Sequence, residues 1–115
     1  MKARLPLNRP ALIVKPRKPY WHWANNIEDG IPPEQKSFCE TEIDTTIYLL
    51  PALKPEEIRQ YIKTEYSGIF DAELYSWWTN EKDWPENRTY KMFEEWFKIT
   101  IAFQVYDTEK KKEIK

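Results

Sequence analysis

In this 115-residue chain the side chains that could serve as base or nucleophile are few: one histidine, His22, one cysteine, Cys39, and the serines Ser37, Ser67 and Ser76. A lone imidazole means that any general-base scheme near neutral pH converges on His22. None of the serines stands in the Gly-x-Ser-x-Gly turn that exposes a nucleophile. Cys39 with His22 is the remaining nucleophilic arrangement, and a structural or exposed histidine is the simpler reading. One Cys and one His fall short of the four ligands of a closed zinc site. Glu40, Glu42 and Asp44 alternate, so an extended backbone would put three carboxylates on one side, weak Ca²⁺ or Mg²⁺ ligands at best and more simply a solvated acidic loop. With only Gly30 and Gly68 there is no glycine-rich phosphate cradle and no dinucleotide fingerprint. The inventory points away from an enzyme, and no cofactor or metal is expected.

Two clusters suit binding better than catalysis. The first, Lys15, Arg17, Lys18, Tyr20, Trp21 and Trp23, interleaves cations with aromatic rings, as surfaces do that hold phosphates and stack bases. The second runs from Trp77 to Arg88. Trp77 and Trp78, adjacent on a helix, point about 100° apart, so one of them, or Trp84, should be partly exposed. Arg88 would stack on such a ring or grip a carboxylate through its planar fork. Trp and Arg are enriched at binding hot spots, although a Trp-Pro turn often simply covers the end of a core.

Composition bounds the molecule that carries these clusters. Hydrophobic residues make up 41% and charged residues 32% of the chain, a globular balance with room for one core. Six Trp, seven Tyr and five Phe supply large packing area, and that alone accounts for most of the aromatic excess. A single cysteine forms no internal disulfide, and neither a signal-peptide pattern nor a membrane-length apolar run occurs, so a soluble cytoplasmic protein without membrane contact is expected. Charge is uneven: residues 1 to 27 carry Lys2, Arg4, Arg9, Lys15, Arg17 and Lys18 without an acid, whereas residues 28 to 73 carry eleven acids against four bases. Either the basic third folds against the acidic middle or it meets an anionic partner. A sequence pI near 5.9 argues against a dedicated nucleic-acid domain.

The elements that must position these side chains follow from periodicity. Ala11-Leu12-Ile13-Val14, bracketed by Pro10 and Pro16, reads as a strand buried on both faces. Tyr20 to Ile27 reads as two helical turns with Tyr20, Trp23 and Ile27 on one face and Trp21 and His22 pointing elsewhere. Residues 28–45 read as a mobile loop. Ile47 to Leu50 reads as another central strand ending at Pro51. Pro55, Glu56 and Glu57 start a long helix whose apolar stripe runs to Trp77 and Trp78, with Gly68 marking a close contact or a kink. Asp83 with Glu86 suggests the cap of a third helix carrying Tyr90, Phe93 and Phe97. From Lys98, Ile99, Ile101, Phe103 and Val105 alternate with polar or small residues as in a half-buried strand that could lie at a sheet edge. Residues 109–115 read as a frayed tail, outside a single α+β domain over 1–108. The expected architecture is β-α-β-α-α-β with a three-stranded mixed sheet covered by helices, its first crossover parallel and right-handed.

Leu7-Asn8-Arg9-Pro10-Ala11-Leu12-Ile13-Val14-Lys15-Pro16, Trp78-Thr79 through Trp84-Pro85, Arg88-Thr89 and Trp96-Phe97 resemble a group of small bacterial proteins of no assigned function. The resemblance implies a bacterial cytoplasmic protein and carries no mechanism.

The leading expectation is a non-enzymatic protein–protein interaction module, monomer or weak dimer, that binds another protein or itself through Trp78, Trp84 and Arg88, with Trp21. The alternative is a small enzyme or ligand-binding protein with a cleft near His22, where Glu57, Asp83 or Arg88 would assist acid–base chemistry. The third is nucleic-acid binding through the basic aromatic N-terminal third.

Overall fold

A computed structural model describes residues 2–3, 6–27, 45–109 and 112–113. The chain runs β1 (Lys2–Ala3), β2 (Ala11–Pro16), α1 (Lys18–Ile27), β3 (Thr46–Leu49), α2 (Pro55–Trp77), a 3-10 turn (Glu81–Asp83), α3 (Tyr90–Trp96), β4 (Phe97–Ala102) and β5 (Lys112–Glu113). This is an α+β domain with a three-stranded sheet in the order β3-β2-β4. The short strands β1 and β5 pair antiparallel with each other, so the tail expected to fray carries a strand. Cys39, Glu40, Glu42, Asp44 and nearly all of the 28–45 segment lie outside the described residues. No helix among the described residues is long and apolar enough to cross a membrane.

The sheet is antiparallel throughout rather than mixed. β3 runs against β2 from Ala11 opposite Leu49 to Val14 opposite Thr46, and β4 runs against its other side from Ala11 opposite Ala102 to Pro16 opposite Phe97. The connection from β2 to β3 is long enough to return the chain to either end of β2, so its length does not set direction. Two contacts fix the direction: the Leu50 amide donates to the Pro10 carbonyl at 2.9 Å, and Arg9 Nε donates to the Leu50 carbonyl at 2.8 Å. Pro16 sits at the last rung of the central strand, where a missing N–H breaks no ladder.

All three helices pack on one face of the sheet. Leu12 and Val14 point into that layer and are fully buried with Ile58, Ile62, Phe70, Leu74, Phe93 and Phe97. Phe70 is the hub: its ring meets Phe93, Trp96 and Phe97 at centroid distances of 6.0, 5.5 and 5.2 Å. Aromatic pairs of this kind add about 0.5–1.5 kcal/mol each beyond area burial. Among the described residues β3 pairs with β2 alone, so it is an edge strand and not the central one expected from its apolar run. Ile47 and Leu49 point away from the helices and remain 65% and 43% exposed.

α2 starts as its residues dictate, with Pro55 in the first turn and the Lys54 amide donating to Glu57 Oε1 at 2.8 Å. The helix runs on through Gly68, where an added Cβ would meet nothing within 4 Å among the described residues, so of the contact or kink expected there the contact is not found. α3 begins at Tyr90, capped by Thr89 Oγ1 accepting from the Met92 amide, and not at the Asp83–Glu86 box. Asp83 belongs to the 3-10 turn, and Pro85 and Asn87, whose φ is +57°, hold the intervening chain out of the helix. β4 ends at Ala102, so the alternation fails at Phe103, which is 58% exposed.

Candidate functional site

The Trp-Arg corner is built where α2 stops. Trp78 turns to extended backbone while its amide still reaches the Leu74 carbonyl. Asn80 then caps the 3-10 turn by accepting from the Lys82 amide. The turn brings three indoles together, and each donates inside the protein: Trp78 Nε1 to Asp83 Oδ2 at 2.9 Å, Trp84 Nε1 to the Trp78 carbonyl at 2.8 Å, and Trp23 Nε1 to the Asp83 carbonyl at 2.9 Å. Arg88 lies over the rings of Phe70 and Trp84, its guanidinium carbon 5.4 and 5.7 Å from their centroids. It donates through Nη1 to the Pro85 carbonyl and pairs through Nη2 with Asp71. Trp84 and Arg88 are half-buried, and every Trp polar tip in the corner is used internally. The arrangement clamps α1, α2 and the loop before α3 together.

His22 belongs to a different place. α1 buries Tyr20, Trp21 and Ala24 rather than the Tyr20–Trp23–Ile27 stripe, because Tyr20 Oη reaches the Glu73 carbonyl at 2.7 Å and Trp77 Nε1 reaches the Ala24 carbonyl at 3.1 Å. Trp21 is therefore a core residue, edge-on to Tyr20 and Trp77, and its ring faces are not open for stacking. Trp23 is tied to Asp83. The aromatic half of the expected base-stacking surface is thus occupied. What remains is a cleft of about 540 Å³ lined by Lys15, Pro16, Arg17, Lys18, Trp21, His22 and Asn25. Glu57, Asp83 and Arg88 do not line it: Glu57 caps α2, and the other two belong to the corner. Among the described residues that line the cleft, none is an acid.

A third surface is the face of the sheet that no described helix covers. There the register places Leu49, Ala11 and Ala102 in one row and Ile47, Ile13 and Thr100 in the next. Lys15 and Lys98 lie opposite each other in the row beyond, and a shallow depression of about 440 Å³ is lined by Ile13, Lys15, Thr45, Lys98 and Thr100. Neither lysine has an acidic partner among the described residues, whose one ion pair is Arg88 with Asp71. Sequence reasoning misses this surface although its signal is present, in the apolar run of β3 and the one-sided alternation of β4, because such a run reads equally well as burial on both faces.

On the covered side, Tyr48 Oη donates to Glu73 Oε2 at 2.5 Å, and Glu73 is buried. Burial, and then the carboxylate that accepts its hydrogen bond, push the Tyr48 phenol far above its ordinary value. This pair pins edge strand β3 to α2.

Comparisons with protein-family models, with curated proteins and with solved structures find no match.

Proposed function

We propose that this chain is a non-enzymatic protein-interaction module and that its contact surface is the uncovered face of the sheet. The carrying observation is that Ile47 and Leu49, both large and apolar, stay 65% and 43% exposed on the face they share with Ile13 and Ala11. Scattered apolar side chains are ordinary on a surface, but a register-aligned patch beside two strand edges that no described strand pairs favours a contact site. The Lys15–Lys98 pair sets the character of the partner. Like charges directly opposite across a ladder are unfavourable, and an acidic group on the partner relieves them. The partner surface is thus apolar with an acidic margin, on another protein or on a second copy. Trp78, Trp84 and Arg88 support the module from behind by fixing the helical layer.

The test compares wild type with the double substitution Ile47→Lys, Leu49→Lys in affinity capture from extract of the source organism, read quantitatively by mass spectrometry. Both side chains are exposed, so the melting temperature should change by less than about 2 °C, the usual size of surface effects. A stoichiometric partner, or the untagged chain itself, should be retained by wild type and lost from the variant. Identical capture by both proteins would contradict the proposal.

A further inference from the structure

The outer edge of β3 presents backbone groups that the sheet does not use. The Leu50 amide bonds to the Pro10 carbonyl, which fixes the alternation of the antiparallel ladder: Leu12 with Tyr48 and Val14 with Thr46 exchange their N–H and C=O groups, and those of Ile47 and Leu49 point away from β2. On that far side β3 has no strand neighbour among the described residues. The Leu49 carbonyl takes a contact of 3.3 Å from Arg9 Nη2 and keeps a second lone pair. The Ile47 and Leu49 amides and the Ile47 carbonyl have no hydrogen-bond partner among the described residues.

The strand is already held in place, so pairing along it costs little further ordering. Tyr48 Oη donates to Glu73 Oε2 at 2.5 Å, and Arg9 Nε gives the Leu50 carbonyl the hydrogen bond that Pro10 cannot supply. The residues of β3, Thr46-Ile47-Tyr48-Leu49, include neither a charge nor a proline, the usual devices that keep edge strands apart. The opposite edge, β4, carries Lys98 and is flanked by Glu56 and Arg59. Beside the β3 edge lies a groove of about 260 Å³ whose lining includes Tyr48, Tyr61, Glu65, Gly68 and Ile69. It leaves room for the side chains that a further strand points inward.

This edge is complementary to itself. Set antiparallel across a two-fold axis at Tyr48, Ile47 of one copy faces Leu49 of the other, and each such pair exchanges both bonds within the length of β3. No like charges meet, and the exposed Ile47 and Leu49 side chains become apolar cross-strand pairs. A ladder only about 13 Å long buries less than the roughly 1,000 Å² of a stable interface, so the association is weak and reversible.

We propose that β3 is a self-pairing edge through which two copies of this chain join their three-stranded sheets into one continuous antiparallel sheet. The pairing uses the strand backbone and leaves the apolar face open, so it does not rest on contact through that face.

The test is sedimentation velocity of the full chain from micromolar to millimolar concentration, joined to isotope-filtered NMR on a mixture of ¹³C-labelled and unlabelled chains. A reversible dimer should form, with intermolecular NOEs linking the Ile47 and Leu49 methyls of different copies. Ile47→Pro deletes one outward N–H and keeps the ladder to β2, since proline is tolerated where its missing N–H faces out of an edge. It should raise the dissociation constant roughly ten-fold or more, as the loss of two symmetry-related hydrogen bonds requires. Ile13→Thr, on the face but away from the edge, should leave the dimer unchanged, which separates this pairing from contact through the face. A monomer at millimolar concentration, intermolecular NOEs from Ile99 and Ile101 or from Ile13 in place of Ile47 and Leu49, an Ile47→Pro chain that dimerises as wild type does, or equal weakening by Ile13→Thr would each overturn the assignment.

Discussion

Replacing Arg88 by Ala should destabilise the fold substantially, because Arg88 is the clamp of the Trp-Arg corner. The substitution removes an ion pair with Asp71, a charged hydrogen bond to the Pro85 carbonyl and two ring contacts, to Phe70 and Trp84. Asp71 is 46% exposed, so the ion pair is screened and is worth at most about 1 kcal/mol. The hydrogen bond from a charged donor adds about 1.5 kcal/mol, and each ring contact about 0.5 kcal/mol. These terms share one side chain and are not fully additive, which puts the expected loss at about 2–3 kcal/mol. For a domain of this length that corresponds to a fall in melting temperature of about 8–12 °C, followed by circular dichroism at 222 nm. Asp71→Asn should cost about 1 kcal/mol, since only the ion pair changes. Arg88→Lys should lie between the two, keeping charge and losing the planar fork. A melting temperature for Arg88→Ala within about 2 °C of wild type would refute the clamp and return the corner to the role of a free binding surface.

Two further outcomes follow from single positions. Gly68→Ala should raise stability by about 1 kcal/mol, or about 4 °C, because the helix is unbroken there and the added methyl meets nothing; a fall in melting temperature would show a contact at that position that the fold does not display. Tyr48→Phe should cost about 1–3 kcal/mol at neutral pH by removing the donor to the buried Glu73 carboxylate, measured by urea unfolding. It should also flatten the alkaline limb of the stability profile. Burial and Glu73 raise the folded-state phenol above the ordinary value of 10.0, so its contribution is fully present below pH 10 and declines above it as the unfolded chain alone ionises. An unchanged slope above pH 10 in the variant would contradict that pairing.

The strands and helices are legible in the sequence where period and punctuation agree. Pro10 and Pro16 bracket β2, Pro55-Glu56-Glu57 opens α2, and Ile99 and Ile101 mark the inner face of β4. What escapes is whatever depends on the partner of a side chain rather than its type. The face of α1 is decided by the reach of Tyr20 to the Glu73 carbonyl, 53 residues away, which no local spacing reveals. The start of α3 is displaced because a positive φ at Asn87 and the Asp83 contact to Trp78 spend the residues that resemble a cap. β3 and β2 carry similar apolar runs, and only pairing on both sides distinguishes the central strand from the edge. For the candidate sites, the cationic residues around His22 are visible as a cluster, whereas the burial of Trp21 and the uncovered sheet face are properties of layer packing. The density of Trp near Arg88 signals the right place for a different reason: it marks a joint in the helical layer.

Site-specific photo-crosslinking in the source cell tests the central claim most directly, since it captures whatever contacts each labelled position there. Benzoylphenylalanine placed at Ile47 reports the uncovered sheet face, at Tyr75 the exposed side of α2, and at Trp84 the corner. A discrete adduct at Ile47, to another protein or to a second copy, with none at Tyr75 or Trp84, is the predicted result. Discrete adducts at Trp84 or Tyr75 and none at Ile47 would contradict the account.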